Sequence, residues 1–255
     1  MKCIIISLDS RPDRRAFMIS QPALANCSLF PAAVVDSEGA ERFRHRRWFP
    51  GTAANYSAAR KLGLLGCLES HTRILRHFAR AAPPPAALFV LEDDAQVSRR
   101  MPPLVAEVLA ADWSAAPWDV LRFKFQTAAD FHRNYNQSEF RAGALSRRFH
   151  SRALGSEVFC YNAQSTDRGT NNVLYRGASA GRIAAGLDEM QLCSFDTMLH
   201  RASRFEPPTI LPHCLLAQTC TVHPQHLFCL VHDCHFSHFL CLAFVDVCGY
   251  GPESS

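Results

Sequence analysis

No stretch of this chain reaches the ~20 consecutive apolar residues that a membrane-spanning helix requires. The nearest approach, Leu227 to Cys248, is broken by His232, Asp233, His235, His238 and Asp246. No secretory leader is expected from the opening residues, where Lys2 precedes only Cys3-Ile4-Ile5-Ile6 before Asp9, Arg11, Asp13, Arg14 and Arg15. These absences set the expectation of a cytoplasmic protein, at most peripheral to a membrane. Charge of one sign is also scarce. The net charge of +4 is too weak to argue for nucleic acid. The one basic cluster, Arg42 to Arg47, has only Phe43 and Trp48 as interleaved aromatics, so no nucleic-acid partner is expected. It stays a candidate contact for a phosphate-bearing acceptor or an anionic membrane surface. No CxxC pair occurs among the 11 cysteines, and the spacings match no familiar zinc finger. Cys3, Cys27, Cys67, Cys160 and Cys193 stand singly and read as buried free thiols, since disulfides need an oxidising compartment that nothing else in the sequence supports.

What is present describes an ordinary globular protein, with 48% hydrophobic and 20% charged residues among 255. Apolar and polar periodicities alternate along it. Strands are expected at 3–8, 28–35, 87–91, 118–123, 156–161 and 172–175. Helices are expected at 11–21, 58–80, 102–111, 178–187 and 195–200. Residues 36–57 and 126–155 read as irregular connections. Strands alternating with helices indicate an α/β fold with a mixed, mostly parallel sheet flanked by helices. That domain spans residues 1–212. The remainder, 213–255, is an irregular tail rich in Cys and His, including His213, Cys214, Cys220, His223 and His226.

Leu91-Glu92-Asp93-Asp94-Ala95 follows the apolar run Ala87-Leu88-Phe89-Val90. A buried strand therefore ends in three consecutive acids, at the place where open α/β sheets bind ligands. Adjacent carboxylates repel unless a cation lies between them. A hard divalent ion such as Mn²⁺ or Mg²⁺ suits carboxylate oxygens and bridges to substrate phosphates. Strand alternation places Glu92 and Asp94 on one face and Asp93 on the other. A competing chemistry is written in Gly177-Ala178-Ser179-Ala180-Gly181, a formal G-x-S-x-G nucleophile pattern. A hydrolase triad would still need an acid and a histidine after Ser179, where little chain remains. Close helix–sheet packing explains the same small residues more simply.

Several segments together resemble family 25 glycosyltransferases, the lipooligosaccharide-biosynthesis galactosyltransferases of bacteria and the related collagen glycosyltransferases. Ile4-Ile5-Ile6-Ser7-Leu8-Asp9-Ser10-Arg11-Pro12-Asp13-Arg14-Arg15 is similar to that family's opening strand and Arg-bearing turn. Phe30-Pro31-Ala32-Ala33-Val34-Val35-Asp36 resembles its second strand. Gly66-Cys67-Leu68-Glu69-Ser70-His71 resembles its Gly-Cys-x-x-Ser-His helix, and Leu91 to Ala95 its acidic motif. Phe195-Asp196 is similar to a later aspartate. The resemblance implies a GT-A type fold and an inverting hexosyltransferase that uses a UDP-sugar, most often UDP-galactose. The acceptor would be a glycan, a lipooligosaccharide or a hydroxylated peptide. It implies Asp94 and Glu92 as ligands of Mn²⁺ or Mg²⁺, and Arg14, Ser70, His71 and Glu92 as donor-binding residues. Asp196 and Asp93 would serve catalysis, with Glu189 or Asp188 as alternative bases. A binding protein of the same fold without turnover is the alternative from another class.

Overall fold

The computed structural model describes residues 1–113 apart from 82 and 84, then 118–123, 126–127, 145–162, 172–202 and 214–220. In chain order the elements are β1 (Lys2–Ser7), α1 (Pro12–Ser20), β2 (Ser28–Pro31), α2 (Ser37–Ala40), α3 (Pro50–Asn55), α4 (Ala58–Ala79) and β3 (Ala87–Glu92). There follow α5 (Met101–Ala110), β4 (Val120–Phe123), β5 (Gln126–Thr127), β6 (Leu145–Ser151), β7 (Ser156–Asn162) and β8 (Asn172–Arg176). The last are α6 (Ala180–Glu189), α7 (Phe195–Ala202) and β9 (Cys214–Cys220). They divide into two compact units. One comprises Met1–Ala95, Pro117–Arg122 and Ala163–Cys214; the other comprises Gln96–Ala116, Phe123–Asn162 and Leu215–Ser255.

In the first unit the strand order is β2-β1-β3-β8-β4. β1 pairs in parallel with β2 and with β3, whereas β8 runs antiparallel to both β3 and β4. The α/β expectation of a mixed, mostly parallel sheet flanked by helices is met. β3, central in the sheet between β1 and β8, is buried on both faces. Its even residues Leu88 and Val90 join Ile4, Ile6, Leu65, Leu68, Leu75, Val173 and Tyr175 in one core cluster, so this face packs on α4. The two-residue period then carries Glu92 onto the α4 face as well. Ser57 caps α4, its Oγ accepting from Arg60 N at 3.3 Å. Pro12 and Pro50 occupy the first turns of α1 and α3, where proline lacks nothing the helix needs.

Three sequence expectations are corrected in this unit. Cys3 and Cys27 are not free thiols but a disulfide, with Cα atoms 4.5 Å apart. The cause is register: Ile4 lies beside Ser28 in the parallel pair, which sets the preceding cysteines side by side. Strand β2 stops at Pro31 rather than Val35, although Ala32 N still donates to Ser7 O at 2.9 Å. Residues 36–57 are not an irregular connection, because they hold α2, α3 and a 3₁₀ turn at Glu41–Phe43. Asp36 caps α2, its Oδ1 accepting from Gly39 N at 2.7 Å.

The second unit contains α5, the antiparallel β6–β7 pair, and the parallel β5–β9 contact. Gly155, at φ 65°, makes the hairpin turn in the left-handed region that suits glycine. Glu107 on α5 accepts from Ser151 Oγ at 2.5 Å and from Ala153 N at 3.0 Å, fastening helix to hairpin. The stretch 126–155 thus holds strands that weak patterning hid. Most of the tail expected to be irregular lies outside the described residues.

Candidate functional site

The parallel strands β1, β2 and β3 end side by side, and a crevice of about 350 Å³ opens beyond their carboxyl ends. Leu8, Arg14, Ser70, His71, Cys67 and the three acids Glu92, Asp93 and Asp94 all contribute to its lining. Ligands of open α/β sheets bind at such an edge. The strand ends at Glu92, and Asp93 and Asp94 lie in the following turn. The period of two therefore stops at Glu92. Asp93, expected to face away, lines the same crevice as its neighbours.

A guanidinium supplies the cation that adjacent acids require. Arg14 Nη1 lies 3.0 Å from Asp93 Oδ1 and 3.7 Å from Asp94 Oδ2. Asp93 Oδ2 also accepts from Leu8 N at 3.2 Å. Both oxygens of this buried carboxylate are thus engaged, and it ties the end of β1 and the start of α1 to the end of β3. Asp94 differs: its side chain is 41% exposed at the crevice.

Glu92 turns toward α4. Its Oε1 lies 3.6 Å from His71 Nε2 and accepts from the Cys67 thiol at 3.7 Å. Residues 67 and 71 are one helical turn apart, so both reach the same point above β3. His71 Nδ1 is hydrogen-bonded to Tyr175 Oη at 2.9 Å, and its ring stacks on Phe195 with centroids 4.3 Å apart. Burial holds the Tyr175 hydroxyl well above the usual phenol range, and the charges of Cys67 and Glu92 add to it. The phenol therefore stays protonated. His71 is 1% exposed, and its Nε2 has no hydrogen-bond partner.

The other expected residues fall in different places. Ser70 lines the crevice, but its Oγ accepts from Ala33 N at 2.8 Å and donates to Gly66 O at 2.7 Å, fastening α4 to the segment after β2. Asp196 stands at the second position of α7, directly after the Phe195 that stacks on His71; its side chain is outside the described residues. Asp188 is paired with Arg76. In the basic cluster, Arg46 donates to Leu187 O and Met190 O at 2.6 Å, closing the C-terminal end of α6. Arg42 pairs with Glu69 at 3.2 Å and Arg44 with Glu41 at 3.7 Å. Three of these arginines thus have partners within the chain.

Ser179 does not form a nucleophile. Its Oγ donates to the buried Asp119 carboxylate, which also receives Arg182 Nη2 at 2.7 Å. A serine nucleophile needs an imidazole in that place. A Cβ at Gly177 would meet Pro85 O at 1.6 Å, and one at Gly181 would meet Ala79 Cβ at 3.4 Å. Gly177 is therefore required by close packing, whereas a Cβ at Gly181 would make only ordinary contact.

Cys67, Tyr175 and Phe195 were missed as site residues. The signal for Cys67 lay in its i, i+4 spacing from His71. For Tyr175 it lay only in strand alternation on β8, which cannot be read without the pairing register.

An open α/β sheet with an acidic crevice at its carboxyl edge is an arrangement that suits a small-molecule ligand. The family follows from comparison. The model of glycosyltransferase family 25 (LPS biosynthesis protein) matches residues 1–153, and the chain belongs to that family. The matched span carries Arg14, Cys67, Ser70, His71 and the three acids. No curated protein matches the chain. Among the described residues no helix is long and apolar enough to cross a membrane.

Proposed function

We propose that the protein transfers a hexose, most often galactose, from a UDP-sugar to a glycan, lipooligosaccharide or hydroxylated acceptor, with inversion at the anomeric carbon and in a GT-A type fold. The observation that carries this reading is the crevice itself. It sets a fixed guanidinium, Arg14, beside an accessible carboxylate, Asp94, at the sheet edge where nucleotides bind. Arg14 suits phosphate oxygens as a charge-assisted donor. The donor set fits a hard cation, because exposed carboxylate oxygen is what Mn²⁺ and Mg²⁺ take. Asp94 would hold such an ion together with donor phosphate oxygens, and Glu92 is the neighbouring carboxylate. When bound, the ion offsets charge on the leaving diphosphate.

The residues of the chain do the rest. Asp93 holds Arg14 against the end of β1, so the guanidinium is preorganised rather than recruited. Leu8 and the Ala32–Val35 segment wall the crevice with apolar surface. Inversion requires a base opposite the leaving group to accept the acceptor hydroxyl's proton. We assign it to Asp196, whose helix begins against His71 at the crevice floor. The acceptor oxygen bonds to the anomeric carbon, the bond from that carbon to the phosphate oxygen breaks, and the proton passes to the carboxylate.

Release of UDP from UDP-galactose and UDP-glucose, measured with Mn²⁺ and a panel of glycan acceptors, tests the proposal. Acceptor-dependent release, reduced at least about tenfold in Asp94→Ala, supports it. Donor binding without release would select a protein that holds sugar nucleotides without turnover.

A further inference from the structure

The geometry points to a second ion site in the crevice floor: Cys67, His71 and Glu92 form a three-ligand site for a thiophilic divalent cation of the Zn²⁺ class, with a fourth position open to the crevice. The three ligand atoms lie within 4.8 Å of one another. The separations to Glu92 Oε1 are 3.7 Å from Cys67 Sγ and 3.6 Å from His71 Nε2. A tetrahedral zinc, with bonds of about 2.3 Å to sulfur and about 2.0 Å to nitrogen or oxygen, spaces its ligands roughly 3.3–3.6 Å apart. Both separations to Glu92 Oε1 lie at or just beyond the upper end of that spacing, so small side-chain shifts bring the three ligand atoms onto the ion.

A second observation, independent of the clustering, points to a ligand. His71 is 1% exposed, yet Nε2 has no hydrogen-bond partner. A buried polar atom left without a partner is costly, and a cation at that point satisfies it. In the tautomer with the proton on Nδ1, the rest of the ring is arranged as metal-bound histidines are. Nδ1 is bonded to Tyr175 Oη at 2.9 Å, and stacking on Phe195 fixes the ring plane. With Nδ1–H donating to the phenol oxygen, Nε2 presents its lone pair to the ion. Binding releases the Cys67 thiol proton to solvent, because the thiolate is the ligand.

The ligand chemistry separates this site from the one at Asp94. Mn²⁺ and Mg²⁺ prefer oxygen; a thiolate with an imidazole selects zinc. Three protein ligands with an open fourth position is also the pattern of zinc sites that take water or substrate, not of closed structural sites. Engagement of Glu92 here leaves Asp94 and the donor phosphates for the hard ion, which commonly uses one or two carboxylates.

The test follows alkylation of Cys67 by N-ethylmaleimide in the full chain under mild reduction, read by peptide mass mapping with Zn²⁺ or with EDTA. Cys193, which like Cys67 is outside the disulfide, is the internal control, and site-specific mapping keeps the tail cysteines from confusing the result. Zn²⁺ is expected to slow modification of Cys67 at least about tenfold, EDTA to reverse this, and Mn²⁺ to do neither. Protection should vanish in folded His71→Gln and Glu92→Gln. An equal Cys67 rate with Zn²⁺ and EDTA in the unmutated protein overturns the site, as does protection that survives His71→Gln. Failure of sugar transfer leaves this readout untouched, so the two proposals fall separately.

Discussion

Asp93 and Gly177 show what single side chains, or their absence, do here. Asp93 accepts from Arg14 and from Leu8 N, so it positions the guanidinium that the donor phosphate would meet. In Asp93→Asn the ionic component of the Arg14 contact is lost while the shape is kept. Steady-state kinetics should then show the donor KM raised by about tenfold, with kcat changed far less, as expected for loss of uniform binding. Gly177→Ala tests packing instead. Its Cβ would lie 1.6 Å from Pro85 O, a backbone atom that cannot rotate away. Urea unfolding should report a loss at the upper end of about 1–3 kcal/mol. That the acid triplet lines a crevice was legible, because three carboxylates after a buried strand have few structural uses. That Arg14 neutralises two of them was not legible, since the contact joins residues 79 apart in sequence. Nor was the role of Cys67, which an apolar helix face disguises as core.

Helices and strands here are fixed by caps and register, but periodicity alone placed α1 and α4, which begin and end within a residue or two of expectation. The extent of β2 was not readable, because Ala32 to Val35 has strand composition but the pairing stops at Pro31. In the basic cluster, likewise, charge composition cannot show that Arg46 turns inward to cap a helix. Arg46→Ala should unmake bonds to Leu187 O and Met190 O and destabilise the fold by about 1.5–3 kcal/mol, the range for hydrogen bonds from a charged group. Thermal unfolding is the check. At the start of α1, the Arg11 guanidinium grips Asp13 through two hydrogen bonds, at 2.9 and 2.6 Å, and holds its carboxyl down at about 2 against an ordinary 3.8. A depressed carboxylate contributes stability that is present above its unfolded value and lost as pH falls through its folded one. The stability difference between the unmutated protein and Asp13→Asn should therefore hold at neutral pH, shrink below about 4 and vanish near 2, read by Tm against pH.

At the scale of the whole molecule, fold class was the most legible property. Alternating strand and helix patterns leave few architectures, and the α/β sheet agrees with them. Strand order was not legible, because β8 enters between β3 and β4 from far along the chain. That insertion matters for chemistry. It carries Tyr175 to His71, one of the residues lining a crevice formed from the first 95 residues. The family match over 1–153 covers those walls. Sugar transfer remains the central claim, and its first requirement is a donor held at Asp94 and Arg14. Isothermal titration of UDP-galactose and UDP-glucose, with Mn²⁺ and with EDTA, on the unmutated protein and on Asp94→Ala, tests that requirement most directly. Micromolar binding that needs both the ion and Asp94 is the predicted result. A folded sample that binds neither UDP-sugar under any of these conditions would contradict it.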